Sequence, residues 1–234
     1  MKKLKGSLGG EYHWREYRIN SLLPVASRSD RVLLYGCGDA GERKFLHELG
    51  FKTFAFDIRR TTGTDFIADG HFLPIKDHSF RIVLSMQVFE HLHSPWVAVP
   101  EIARILLPGG YLIGSVAFLK PFHDSYFHMT HRGVARLLSA SGLKLENALG
   151  LQSLTHSIYG SILPLNRSIS RMVFGCIDRI VFGVRAALWS LVRGVRPTEP
   201  TDRFDAGLKM SFKTFDSLRF APAIVFKARK TTDR

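Results

Sequence analysis

Two glycines one residue apart, with a carboxylate about 20 positions further on, are the first residues of this chain whose types and spacing suit chemistry. In the stretch RVLLYGCGDAGERKFLHELGFKTFAFD, residues 31–57, Gly36, Cys37 and Gly38 follow an apolar run and Asp57 closes the segment. Glycines let a backbone pass close to a ligand, a helix that follows offers unpaired N–H groups, and an acid at that distance can accept both hydroxyls of a ribose. That is the chemistry of holding a nucleotide cofactor. A second set is the run Met86, Gln87, Val88, Phe89, Glu90, His91, with His93 just beyond. An imidazole titrates near neutral pH, so His91 or His93 can take a proton from a hydroxyl, although either can equally cap a helix.

These residues need elements to position them. Residues 32–35 form a short apolar run that reads as a buried strand, and a helix starts near Gly41 with Phe45, Leu46 and Leu49 at helical spacing. Gly50 stands where that helix should end, and residues 51–56 alternate like a second strand that delivers Asp57. The unit is β-α-β. A nicotinamide dinucleotide wants a small residue four positions after the third glycine, and Phe45 stands there. Its bulk favours a looser turn, of the kind that holds an amino-acid-bearing nucleoside. Further strands are expected at 65–68, 79–85, 111–117, 143–151 and 223–228, the last antiparallel. Helices are expected at 11–26, 96–107 and 132–141, the second ending in a Pro108-Gly109-Gly110 turn that launches the fifth strand. In open α/β sheets the crevice lies outside the carboxyl ends of the strands, so residues 86–91 should face it.

The turn at 36–38, Asp57, Ala68-Asp69-Gly70, Leu73-Pro74, FRIVLSMQVFEHL at 80–92 and Leu107-Pro108-Gly109-Gly110 occur in the order and spacing of class I S-adenosylmethionine-dependent methyltransferases. The chain resembles the small-substrate, type 11-like branch of that family. The resemblance implies a Rossmann-like seven-stranded sheet with S-adenosylmethionine over the strand ends. Gly36 and Gly38, with Tyr35 and Cys37, would shape the loop around the methionine part. Asp57 would hold the ribose, Asp69 beside Gly70 the adenine, and Gln87 would begin the floor beside the methyl group. Residues 121–130, PFHDSYFHMT, are similar to a loop of methyltransferases of surface-glycan and lipid-linked sugar assembly, where an Arg commonly replaces His128. His123 and Asp124 are then candidates to position or deprotonate a sugar hydroxyl, with packing of a rigid lid as the competing role. The implied activity is O-methylation of a small sugar-containing or lipid-linked acceptor. Leu34 and Arg81 stand where the family carries acids, so a non-catalytic scaffold on the same fold is the alternative.

The 234 residues, 45% hydrophobic, can bury a large core. They divide into a cofactor-binding core at 1–155, a helical insertion at 156–221, and a last strand with its tail at 222–234. Two cysteines define no disulfide framework and no metal-ligand cluster is evident, so no metal is expected. Lysines at 2, 3 and 5 precede no apolar run, so no secretory signal is expected, and a reducing cytoplasm is the default location. The formal charge of +13 is uneven, with 14 Lys+Arg against 6 Asp+Glu in residues 161–234, a net +8. An anionic partner is implied. Over 167–196 an arginine stripe (Arg171, Arg185, Arg193, Arg196, with Asp178) opposes Ile177, Ile180, Val184, Leu188 and Leu191. Such an arc suits a helix lying on the inner face of an anionic membrane, or one packing on the domain or against a second copy as a homodimer. Nucleic acid suits the charge too, but the Asn/Asp-Pro-Pro-aromatic motif of base amino-methylation is missing after the fourth strand and no RNA-binding module is evident, which makes RNA methylation the lesser alternative.

Overall fold

The structure is a computed structural model that describes residues 19–25, 27, 30–120, 123–151, 176, 180, 184 and 221–232. Seven strands form one sheet: β1 (Arg31–Tyr35), β2 (Lys52–Asp57), β3 (Phe66–Ile67), β4 (Phe80–Met86), β5 (Leu106–Ala117), β6 (Leu143–Leu151) and β7 (Ala223–Lys230). Their order is β3-β2-β1-β4-β5-β7-β6. The pairs from β3 to β5 are parallel, and β7 runs antiparallel between β5 and β6. Among the described residues, α1 (Glu42–Glu48), α2 (Pro95–Ile105), α3 (His131–Ser139) and a 3-10 turn at Phe89–His91 accompany them.

Period-two alternation explains the layers. Leu33 and Tyr35 join Val83, Leu112, Val116 and Phe226 in a core that α2 and α3 cover. Val32 and Leu34 point the other way, into a core with Ile82, Leu84, Ile113, Phe45 and Leu46. Covered on both faces, β1 is apolar over residues 32–35 and β4 over residues 82–84, as buried parallel strands tend to be. Helical residues 19–22 bury Ile19 and Leu22 in the second core, so the expected first helix is present where it is described. Residues 11–18 of that expected helix lie outside the described residues. β7 reaches its place because Gly114 has no side chain: a Cβ there would sit 2.6 Å from the ring of Phe226.

One element differs from expectation. Residues 106–110 belong to β5 itself, with Leu106 paired to Phe80 and a register shift before Ile82 meets Tyr111. Gly109, at φ +71°, absorbs the irregularity within the strand. α2 therefore stops at Ile105. Thr130 starts α3 by accepting the N–H of Gly133 at 3.0 Å, a cap worth about 1 kcal/mol. Of the insertion, Cys176, Ile180 and Val184 are described, helical and exposed, and the rest of 156–220 lies outside the described residues.

Candidate active site

The turn after β1 is built by opposing constraints. Gly36 takes φ +63° and Gly38 φ +50°, conformations costly for side-chain-bearing residues. A Cβ on Gly36 would lie 2.8 Å from both methyls of Val88, so the turn and the end of β4 pack at backbone distance. The Gly38 N–H donates to Asp57 Oδ2 at 2.9 Å, and the Arg59 N–H donates to Oδ1 at 3.2 Å. The Thr61 hydroxyl donates to the Gly38 carbonyl, which ties the loop after β2 to the same turn. Arg43 reinforces this from α1, bonding Asp65 through two nitrogens at 3.0 and 2.8 Å and the Gly63 carbonyl at 3.0 Å.

A cleft of about 330 Å³ opens here, in the range of small-ligand sites. Tyr35, Gly36, Cys37, Gly38, Asp57 and Gln87 line it, with Leu34, Asp39, Glu42 and Met86. Six of the expected cofactor residues thus converge. Each Asp57 oxygen accepts one backbone N–H and keeps a further lone pair for a ribose diol. The space above Gly38 is open, since a Cβ there would meet nothing within 4 Å. The donor set and the bare backbone fit an amino-acid-bearing nucleoside. Burial, reinforced by Asp57, pushes the Cys37 thiol up to about 11 and so disfavours its thiolate at neutral pH, and Sγ donates to the Gly38 carbonyl.

Gln87 closes the cleft in a left-handed conformation, φ +58°, unusual for a side-chain-bearing residue. Its N–H to Ser115 O at 2.9 Å and its amide to Ser115 Oγ at 3.4 Å hold it there. Asp69 and Gly70 are not among the cleft's lining residues. Asp69 accepts the backbone N–H of His71 at 2.9 Å and faces its ring nitrogen at 2.6 Å, and these contacts hold its carboxyl below the usual carboxylate range. His93 stacks on His71 at 4.1 Å, which sets it in that group.

His91 and His123 do meet, their rings 4.9 Å apart. Between the strands and the loop sits Glu90, fully buried. Its Oε1 accepts the Ala117 N–H at 3.0 Å, and its carbonyl accepts Tyr126 and Phe127 N–H at 2.9 and 3.1 Å. Glu90 thereby fastens the His- and aromatic-rich loop to the carboxyl ends of β4 and β5. Burial raises its carboxyl above the ordinary glutamate range, and burial followed by Lys120 lowers His123. Asp124 is exposed, with a charge near enough to His123 to act against that lowering. In sequence, Thr61 reads as part of a polar loop and Val88 only as part of the run expected to face the crevice; their contacts with the glycine turn are tertiary and leave no local pattern.

Leu34, buried at 2% exposure, lines the cleft as an apolar floor. Arg81 starts β4 at the opposite end of the sheet, where it bonds the Gly109 carbonyl at 3.3 Å and lies over Tyr111. It is remote from the strand ends that make the cleft.

Residues 33–114 match the family described as methyltransferase domain. An uncharacterized methyltransferase of Mycobacterium avium (strain 104) is 36% identical over 99 residues, 40% of this chain and 39% of that protein. One of Mycobacterium tuberculosis (strain ATCC 25618 / H37Rv) is 34% identical over 89 residues, 36% of this chain and 35% of that protein. The chain spans under two fifths of the length of these curated relatives. Among solved structures, an S-adenosylmethionine-dependent methyltransferase from Archaeoglobus fulgidus superposes with TM-score 0.57 at 14% identity, covering 94% of this chain and 95% of that one. Geranyl diphosphate C-methyltransferase from Streptomyces coelicolor A3(2), in complex with Mg²⁺, geranyl diphosphate and S-adenosyl-L-homocysteine, gives 0.60 at 10% identity over 94% of this chain and 79% of that one. The chain has the α/β, Rossmann-like fold of class I S-adenosylmethionine-dependent methyltransferases, and its methyltransferase domain match runs over residues 33–114.

Proposed function

We propose that the chain is an S-adenosylmethionine-dependent methyltransferase that methylates oxygen on a small, sugar-containing or lipid-linked acceptor. One observation carries the cofactor half: Asp57 and the Gly38 N–H meet at 2.9 Å on the wall of an open cleft with a bare glycine turn. S-adenosylmethionine, when bound, would supply a sulfonium methyl group for transfer to the acceptor oxygen, the electron pair of the broken carbon–sulfur bond staying on sulfur. Asp57 holds the ribose, the turn at 36–38 follows the methionine part, and Gln87 forms the floor beside the methyl. His91, His123 and Asp124 orient the acceptor hydroxyl and receive its proton, and orientation contributes most in such a displacement. Asp69 beside Gly70 lies outside the cleft's lining and bonds His71, and it is assigned to the adenine edge on the exposure of its carboxylate.

The acceptor reading is supported by the aromatic surface beside that corner. Trp96 and Tyr126 are 59% and 71% exposed, and the Trp96 ring meets Phe127 at 6.0 Å. Flat apolar faces next to proton-accepting groups suit a sugar ring. Contact with an anionic membrane is part of the same proposal. Ile180 and Val184 stand exposed at four-residue spacing, although no helix among the described residues is long and apolar enough to cross a membrane. The apolar Leu34 in the cleft favours a second reading, a non-catalytic scaffold on this fold.

Calorimetric titration with S-adenosylhomocysteine separates the two. The enzyme reading expects saturable one-to-one binding that weakens about 10- to 100-fold in Asp57→Ala, the loss of a charge-assisted hydrogen-bonding group. Absence of binding would leave the scaffold.

A further inference from the structure

The corner that fastens the aromatic loop has the composition of a metal site. Glu90, His91 and His123 bring one ligand atom each to within 4.8 Å of the others. Glu90 is wholly buried, and its Oε2 has no hydrogen-bond partner among the described residues. His123 Nε2 is likewise buried without a hydrogen bond, 3.6 Å from Glu90 Oε1. Leaving a buried polar atom unbonded costs about 1–3 kcal/mol, so two such atoms in one corner, on a carboxylate and on the imidazole 3.6 Å from its other oxygen, need a reason. A shared cation is a reason that answers both.

We propose that Glu90, His91 and His123 form a three-ligand site for a zinc-class divalent cation, with a fourth position open. Metal–ligand bonds of about 2.0–2.2 Å in a tetrahedral shell place ligand atoms roughly 3.3–3.6 Å apart. The Glu90 Oε1 to His123 Nε2 distance of 3.6 Å meets that already. His91 is exposed and closes the remaining span by turning its ring. Two imidazoles and one carboxylate select zinc, cobalt or nickel over magnesium and calcium, which prefer oxygen alone. The Ala117 N–H on Glu90 Oε1 fixes the carboxylate in the manner of an outer-shell partner. Lys120 adds positive charge to this corner, so the site takes a cation only against that charge, with Glu90 ionised.

The role of the cation rests on the methyltransferase reading, and its binding does not. In that reading His91 and His123 serve as metal ligands in place of accepting the proton, and the open position holds the acceptor oxygen and eases loss of its proton to solvent. The test uses the whole chain, stripped with a chelator and titrated with Co²⁺ as a coloured probe, then competed with Zn²⁺. One equivalent should bind, with visible bands of a four-coordinate ion that zinc abolishes. Affinity should fall at least tenfold in His91→Ala and in His123→Ala. His91 is exposed, so its variant folds whatever Glu90→Gln does, and circular dichroism checks this. A wild-type chain that takes up no cobalt, or variants that bind it as well as wild type, overturn the proposal in favour of a direct Glu90–His123 pair. S-adenosylhomocysteine titration of the same stripped protein reports separately on the cofactor cleft: heat there with no cobalt uptake refutes the metal alone, and cobalt uptake without heat refutes the methyltransferase reading alone.

Discussion

At the scale of single residues, the close approach between Gly36 and Val88 is the most exposed to test. A methyl at position 36 would have to share space with two Val88 methyls at 2.8 Å, and Val88 is β-branched and stiff about χ1. Gly38 has an equally unusual φ but open space above it. Gly38→Ala should therefore cost about 1–2 kcal/mol of backbone strain and little else. Gly36→Ala should cost that and also push the turn away from β4, with a larger loss of S-adenosylhomocysteine affinity. Adding Val88→Ala to Gly36→Ala should restore part of that loss and do nothing for Gly38→Ala. Calorimetric titration of the four variants measures this, and equal losses at both glycines would show that the Val88 contact does not matter. Cys37 belongs to the same scale. With its thiol pushed up to about 11, it should react with iodoacetamide far more slowly than an ordinary cysteine at pH 8, and bound S-adenosylhomocysteine should slow it further.

Elements are joined to one another through arginines, and this makes stability depend on pH. Arg104 at the end of α2 bonds both Glu101 oxygens at 2.9 and 2.8 Å, Asp77 at 2.6 Å, and the carbonyls of Leu73 and Ile75 at 3.1 and 2.7 Å. Glu101 is held below the usual carboxylate range chiefly by the Arg104 hydrogen bond, and Asp65 similarly by Arg43. A carboxyl depressed in the folded state contributes stability that is complete above its unfolded pKa and is lost as pH falls through the folded one. The chain should thus keep its stability from neutral pH to about pH 5 and lose it steeply below about pH 4. Arg104→Gln should lower stability at pH 7 by about 2 kcal/mol and flatten the acid limb. Urea midpoints at pH 7, 5 and 3.5 decide it. An unchanged acid limb would remove Glu101 from the account.

The same scale shows what the sequence makes legible. β1 and β4 read directly as apolar runs because both of their faces are covered, and Gly50 marks the end of α1 because it alone there takes φ +93°. The stretch 106–110 misleads because Pro-Gly-Gly signals a turn locally, while pairing with Phe80 pulls it into β5 as a bulge. Of the site, the turn and Asp57 are legible as one β-α-β unit. The meeting of Glu90 with His123 is not, because it depends on β4 pairing with β5 and on the Ala117 N–H, contacts 27 residues apart in sequence.

For the whole molecule, formal charge is divided unevenly along the chain. The core before residue 161 carries a net +5 over more than twice the length of the remaining segment, which carries +8. In the proposed contact, the basic segment with exposed Ile180 and Val184 meets an anionic surface, where each Lys or Arg would contribute about 1 kcal/mol and salt would screen the attraction within a Debye length of about 8 Å at physiological ionic strength. Nothing in the cleft around Gly38 and Asp57 depends on that segment among the described contacts. Vesicles containing phosphatidylserine should therefore pellet the protein, neutral vesicles should not, and raising the salt to about 0.5 M should release it. Reversing Arg171, Arg185 and Arg193 to Glu should weaken vesicle binding by at least about a hundredfold, since three contributions vanish and three repulsions replace them. S-adenosylhomocysteine affinity should stay unchanged in that variant. Pelleting that survives the three reversals would move the attraction elsewhere on the chain, and a simultaneous loss of cofactor binding would mean that the basic segment and the cleft are structurally coupled.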